Sequence, residues 1–254
     1  MGRLEGKVAV ITGAAGGIGR VASARFVAEG CRLVMVDLST EQLEQAAADL
    51  DPDRVEICEA DVSSVQDSQR YIKAAVDRFG GIDILVANAG IEGQVARIVD
   101  YDVEEFDRVI AVNLRGVWLG IKYAFPQMIE RGGGSIVVTS STAGVTGSAV
   151  LSAYNASKHG VIGLMRSAAR DGARQNIRVN TVNPCPVETR MMRSIETGID
   201  GDDAQSVYER IQDSIPLGRY ADPAEIANLM LFLVSDESSY LTGGVYMADG
   251  GSTS

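Results

Sequence analysis

Two side chains in the stretch SAYNASK, Tyr154 and Lys158, stand four positions apart among small residues. On a helix that spacing puts a phenol and an ammonium on one face, one turn from each other. Such a pair can be an ordinary surface contact or an acid–base couple. A tyrosine has an ordinary pKa of about 10, so serving as a base near neutral pH requires about 4 kcal/mol of differential stabilisation. A nearby ammonium favours the phenolate and supplies part of it. Other familiar chemistries are poorly furnished. His159 is the single histidine, and no G-x-S-x-G elbow accompanies it, so a serine–histidine triad has no obvious frame. A histidine-rich metal centre is excluded, and no metal is expected. The sequon Asn155-Ala156-Ser157 falls inside the same proposed helix and reads as accidental.

A second set of residues could hold a phosphate. Thr12-Gly13-Ala14-Ala15-Gly16-Gly17-Ile18-Gly19 follows the first apolar run and opens a helical pattern. Strand, glycine-rich turn and helix start form a dinucleotide-binding arrangement. Glycines allow the backbone to approach a pyrophosphate, and a helix N-terminus offers free N–H groups and a favourable dipole. Gly13, Gly17, Ile18 and Gly19 are therefore cofactor-binding candidates. Asp37 ends the second strand pattern, where an acid can accept from both adenosine ribose hydroxyls. Its charge would repel the 2′-phosphate of NADP, and neither Ala14, Ala15, Leu38 nor Ser39 is basic. The expected cofactor is NAD.

These residues need a scaffold, and the chain alternates short β-rich runs with longer helical patterns. Strands are expected at Val8–Thr12, Arg32–Val36, Val55–Glu59, Ile82–Ala87, Ser135–Thr139, Arg178–Val182 and Val245–Met247. Several are continuously apolar, as strands buried on both faces are. Helices are expected at Ile18–Glu29, Glu41–Asp49, Val65–Phe79, Glu104–Ile129 and Ala153–Arg174. A last helix starts where Asp222 caps, Pro223 takes the first position and Glu225 completes a capping box. The alternation predicts an α/β fold: a Rossmann-type, doubly wound, seven-stranded parallel sheet with helices on both faces. With no repeat or linker in 254 residues, one domain (1–254) is the economical reading. Residues 189–214 break the pattern, are acidic at GIDGDD, and are placed as a substrate lid.

Composition excludes other classes. A net charge of −11 disfavours nucleic acid, and the longest apolar run, Leu229–Val234, is too short for a membrane span. Cys31, Cys58 and Cys185 suggest neither disulfides nor zinc. The opening MGRLEGKVAVITG enters a strand pattern without a signal-peptide layout. A cytoplasmic protein is the expectation.

With these pieces in place, the chain resembles the short-chain dehydrogenase/reductase family over essentially its whole length. The matching pieces occur in order: TGAAGGIG; Asp61-Val62; ANAG at 87–90; Asn113 in VNLRG; TSS ending at Ser141; YNASK; and NPCPVET at 183–189. The resemblance implies that Ser141, Tyr154 and Lys158 are catalytic, with Asn113 holding a water that links Lys158 to a proton path. It implies that Asp61 and Val62 flank the adenine and that Asn88 supports the cofactor. Val187 and Thr189 would contact the nicotinamide end, beside Tyr154 and Lys158. It also implies a homotetramer with the long helices at its interfaces. Two positions depart from the pattern: Ala87 stands where an asparagine is frequent, and Cys185 where glycine is usual. Cys185 is placed in the pocket wall, shaping selectivity.

The expected substrate pocket lies between the 142–151 loop, residues 91–95 and the start of the lid. Val145, Val150, Leu151, Met191 and Met192 make it apolar, and no arginine in the loop offers a carboxylate clamp. The reading is an NAD-dependent alcohol dehydrogenase or ketone reductase acting on a neutral, fairly hydrophobic secondary alcohol, cyclic ones included. Ser141 and Tyr154 would hold the substrate oxygen. Two alternatives stand beside it: a 3-oxoacyl carrier-protein reductase, disfavoured by Asp37 and the negative charge, and a nucleotide-sensing protein without turnover.

Overall fold

The computed structural model describes residues 2–254. Seven strands form one parallel sheet: β1 Val8–Thr12, β2 Arg32–Asp37, β3 Val55–Glu59, β4 Ile84–Ala87, β5 Gly134–Thr139, β6 Ile177–Pro184 and β7 Val245–Ala248. Their order is β3-β2-β1-β4-β5-β6-β7, every neighbouring pair parallel. The order reverses direction between β1 and β4, which opens a crevice at the carboxyl ends of those strands.

Nine α-helices accompany the sheet among the described residues: α1 Gly17–Ala28, α2 Thr40–Ala47, α3 Val65–Phe79, α4 Val103–Ile110, α5 Gly116–Glu130, α6 Ser152–Gly172, α7 Arg190–Ile199, α8 Ala204–Asp213 and α9 Pro223–Val234. Strand side chains alternate between two cores. Val8, Val10, Val34 and Val36 pack with α3, α5 and α6; Ala9, Ile11, Leu33 and Met35 pack with α1, α2 and α9. Each fully buried Val, Leu or Ile contributes about 1.5–3 kcal/mol relative to exposure. Both faces of β1 and β2 are thus covered, which explains their unbroken apolar runs.

Strand and helix positions agree with the sequence expectation within a few residues, with two differences. The helix expected over Glu104–Ile129 is divided: a π-helical turn at Ala111–Arg115 separates α4 from α5. The extra residue in such a turn re-aims side chains, and these turns favour functional sites. The 189–214 segment is not an irregular flap but contains α7 and α8. The capping box on α9 forms as expected, with the Asp222 carboxylate accepting from Ala224 N at 2.7 Å and Asp222 N donating to Glu225 at 2.9 Å.

Candidate active site

The loop after β1 is shaped by backbone crowding. Gly13 has φ +66°, and a methyl group there would lie 2.9 Å from Ala89 Cα. A methyl group on Gly19 would lie 2.0 Å from the Gly13 carbonyl oxygen, and one on Gly17 2.7 Å from Thr189 Cγ2. Gly16 precedes α1 without a side-chain cap, and the first turn carries no acid. The helix N-terminus therefore presents its N–H groups uncapped by any side chain. This cradle, which any Cβ would fill, fits a pyrophosphate. Ile18 lies beside it, partly buried against the α1 core.

Asn88 fastens the loop to the sheet. Its Nδ2 donates to the Thr12 and Gly13 carbonyls at 3.2 and 3.3 Å, and its Oδ1 accepts from Thr139 Oγ1 at 3.1 Å. Asp37 caps the same loop from β2: Oδ2 accepts from Ala15 N at 2.9 Å and Oδ1 from Leu38 N at 2.8 Å. Each oxygen keeps a further lone pair for a ribose hydroxyl. Asp61 is exposed and accepts from Ser63 N and Oγ, both at 2.8 Å. Val62 is buried against Gly116.

Lys158 is almost fully buried, and its ammonium donates to the Thr139 carbonyl at 2.8 Å. Burial lowers its pKa to about 8. Its Nζ lies 5.4 Å from the centroid of the Tyr154 ring, so α6 places both groups on one face as their spacing required. For Tyr154, burial dominates and raises the phenol to about 12; the Ser141 hydroxyl opposes this and the Glu92 carboxylate adds to it. The pull of Lys158 expected from the sequence is therefore not what sets the phenol here. The lysine is spent on a backbone carbonyl, and desolvation of the ring outweighs it.

The π-helical turn brings Asn113 inward. Its side chain is fully buried, accepts from Ile91 N at 2.8 Å, and donates to Ile91 O at 2.8 Å and Ser157 Oγ at 3.1 Å. Ser157 in turn donates to the Tyr154 carbonyl at 2.7 Å. Asn113 thus ties the 91–95 segment to α6 with its side chain, a positioning role beside the water-holding one implied by resemblance. Ser141 follows β5 in extended geometry, accepts from Ala143 N at 3.1 Å and donates to the Pro184 carbonyl at 3.4 Å.

The candidate substrate residues divide. Leu151 bridges to Ala96, whose N–H donates to the Val150 carbonyl at 2.9 Å, joining the 142–151 loop to the 91–97 segment. Val150 holds φ +60°, a strained conformation for a β-branched residue. Val145 is exposed, and Met191 is partly buried at the start of α7. Met192 packs with Cys185, Ile215 and Tyr220. Cys185 also lines a cavity of about 300 Å³ with Arg219, Glu225 and Asp249. Ser141, Tyr154 and Lys158 are not among the residues lining that cavity, while Ser141 bonds the carbonyl of Pro184, the neighbour of Cys185. Val187 pairs with Ala221, and Thr189 presses on Gly17. Four contributors escaped the sequence reading: Thr12, Thr139, Ser157 and Glu92. The first three lie inside motifs already singled out; Glu92 is a lone loop carboxylate with no pattern to mark it.

A doubly wound sheet, a glycine cradle at its crevice and a tyrosine–lysine pair on α6 define a nucleotide-dependent oxidoreductase. A family model described as Enoyl-(Acyl carrier protein) reductase matches residues 13–253. The chain belongs to the short-chain dehydrogenase/reductase family. Levodione reductase of Leifsonia aquatica is 38% identical over 253 residues, covering 98% of this chain and 95% of that one. The crystal structure of levodione reductase matches with a TM-score of 0.95, at 38% identity over 98% of both chains. The 3-oxoacyl-[acyl-carrier-protein] reductase of Thermotoga maritima is 40% identical over 251 residues, 98% of each chain. NAD⁺-bound xylitol dehydrogenase matches with a TM-score of 0.92 at 33% identity, covering 98% of this chain and 99% of that one. Among the described residues, no cluster could hold a metal and no helix is long and apolar enough to cross a membrane.

Proposed function

We propose that the protein is an NAD-dependent oxidoreductase interconverting a neutral, fairly hydrophobic secondary alcohol and its ketone. The observation that carries this reading is the buried Lys158 fixed by Thr139 beside the Tyr154 ring, next to an open glycine cradle. The Gly13–Gly19 loop would hold the pyrophosphate and Asp37 the ribose, with Asp61 and Val62 at the adenine and Val187 and Thr189 at the nicotinamide end. NAD, when bound, accepts or supplies the hydride at the substrate carbon. Tyr154 carries the proton: its O–H donates to the carbonyl oxygen in reduction, and its ionised form accepts the hydroxyl proton in oxidation. Ser141 holds that oxygen in place, and Lys158, Asn113 and Ser157 keep Tyr154 oriented. Because burial holds the phenol protonated, the oxidation rate rises as pH rises and the reduction rate falls in the alkaline range.

The similarity to levodione reductase and the apolar Val145, Leu151 and Met191 support a ketone of modest polarity. The similarity to a 3-oxoacyl carrier-protein reductase favours a second reading, against which stand Asp37 and the charge of −11. We place the whole chain in one cofactor-binding domain with 189–214 as its lid. A homotetramer would cover Val103, Phe106 and Trp118, which α4 and α5 leave exposed. The three free thiols suit a reducing cytoplasm.

The test is a panel of secondary alcohols with NAD⁺ and NADP⁺, read by nicotinamide absorbance. Turnover with NAD⁺ is expected, and Tyr154→Phe should lower kcat by about 10³-fold with NADH affinity unchanged. Residual activity within tenfold of wild type would overturn the mechanism. A higher kcat/KM with NADP⁺, or with 3-oxoacyl thioesters, would overturn the cofactor and substrate assignments.

A further inference from the structure

α7 spans the two sides of the candidate site. At its start Thr189 touches Gly17 of the phosphate loop; near its end Gly198 is packed so closely on Val95 that a methyl group there would lie 2.7 Å from Val95 Cγ2. The base of the α7–α8 insert is pinned by backbone: Glu188 N donates to Ala221 O and Ala221 N to Pro186 O, both at 3.0 Å. Above that base, five side chains close a ring. Arg193 on α7 pairs with Glu188 at 2.8 Å and with Glu196 at 3.0 Å. Glu196 accepts from the Tyr220 hydroxyl at 2.8 Å, and Glu188 from the Tyr208 hydroxyl on α8 at 3.1 Å. The Tyr208 and Tyr220 rings lie 4.7 Å apart, and the Arg193 guanidinium covers both, 4.7 and 5.4 Å from their centroids.

We infer that Glu188, Arg193, Glu196, Tyr208 and Tyr220 are a latch that fixes the attitude of α7, making them positioning residues for cofactor retention and substrate binding. This rests on the reading of the site given above. Glu196 is 2% exposed, and each of its oxygens has one donor. A small tilt of α7 would leave that carboxylate buried and unpaired, which is costly; a large swing would hydrate it. The insert therefore has two favourable positions, latched and open, rather than a continuum. Arg193 suits the centre because a planar guanidinium bridges two carboxylates while stacking on aromatic faces, which an ammonium does not do.

The test uses the full-length protein with Tyr220→Phe, Arg193→Lys and Glu196→Gln. Tyr220→Phe removes one oxygen and keeps the ring stack, so the fold should survive. NADH dissociation constants are measured by fluorescence titration, KM and kcat with a turned-over ketone, and cleavage by proteinase K at the exposed turn 200–203. A latch predicts roughly tenfold weaker NADH binding and a raised KM, because only the latched fraction binds. It also predicts faster cleavage, slowed again by NADH, while the pH profile of kcat stays as in wild type. Wild-type NADH affinity, KM and cleavage rate in both Tyr220→Phe and Arg193→Lys would overturn the latch. If the wild type fails to bind NADH, the functional reading and the retention role fall together; if cleavage then still separates the variants, only the hold of these five side chains on α7 stands.

Discussion

At Gly13 and Gly19 a side chain would run into backbone: the Ala89 Cα and the Gly13 carbonyl. At Gly17 and Gly198, which face α7 or belong to it, it would meet the side chains of Thr189 and Val95, and the helix is held by an arginine, two carboxylates and two phenols. Backbone geometry is set by the parallel sheet and yields little, while side-chain contacts can be exchanged one residue at a time. A cofactor common to many enzymes suits the first kind of construction, and a substrate that differs between relatives suits the second.

The largest effect is expected on the backbone side. In Gly19→Ala the new methyl group meets a carbonyl oxygen at 2.0 Å, with no rotamer to relieve it. The loop must shift, so NADH affinity should fall at least about 100-fold and stability by about 3 kcal/mol. Fluorescence titration and urea unfolding measure both. NADH affinity within threefold of wild type would mean that the cradle is not built by backbone contact.

Lys158 probes the boundary between the two sides. Its folded pKa of about 8 lies below the ordinary 10.5, so between these values the unfolded chain holds a proton that the folded chain lacks. Stability then rises with pH across that window, and below pH 8 the cost of the buried ammonium, on the order of 3 kcal/mol, is fully present. Lys158→Met removes that cost and leaves the Thr139 carbonyl without its donor. The variant should be inactive yet more stable than wild type by about 1–2 kcal/mol at pH 7, with the difference shrinking toward pH 10. Urea unfolding at the two pH values decides it. A less stable variant at pH 7 would mean that the ammonium is a structural asset rather than a functional burden.

The backbone side was also the more legible one. TGAAGGIG, Asp37 and the apolar strand runs announce a crevice because each signal is local: a glycine where a turn is tight, an acid at a strand end, an unbroken apolar run where both faces are covered. Tyr154 and Lys158 share a face by helical spacing alone. What the sequence hid is long-range. The π-helical turn at Ala111–Arg115 lies inside a continuous helical pattern, and nothing in VNLRG marks the extra residue that turns Asn113 inward. Glu188, Arg193, Tyr208 and Tyr220 meet only because α7 and α8 fold back over their base. The acidic GIDGDD run disguised these helices as an irregular lid. Cys185 follows Pro184 next to residues read as facing the nicotinamide, and it also packs with Ile215 and Tyr220, partners far along the chain that adjacency in sequence does not mark.

The smallest effect is expected at Gly198→Ala. Its methyl group would meet Val95 Cγ2 at 2.7 Å, as close an approach as many on the phosphate side, but the neighbour is the end of a side chain. Val95 can give way by moving with the 91–97 segment, and in this last turn of α7 alanine gains at most about 1 kcal/mol over glycine. Stability should therefore stay within about 1 kcal/mol of wild type. The displaced segment borders the candidate substrate pocket, so KM for the ketone should change roughly three- to tenfold while NADH affinity holds, one displaced contact in a pocket carrying about that much discrimination. An NADH affinity that moves as far as KM would show the two sides to be one rigid unit, with α7 transmitting strain from Val95 to Thr189 and Gly17. An unchanged KM together with unchanged affinity would separate the 91–97 segment from the substrate altogether.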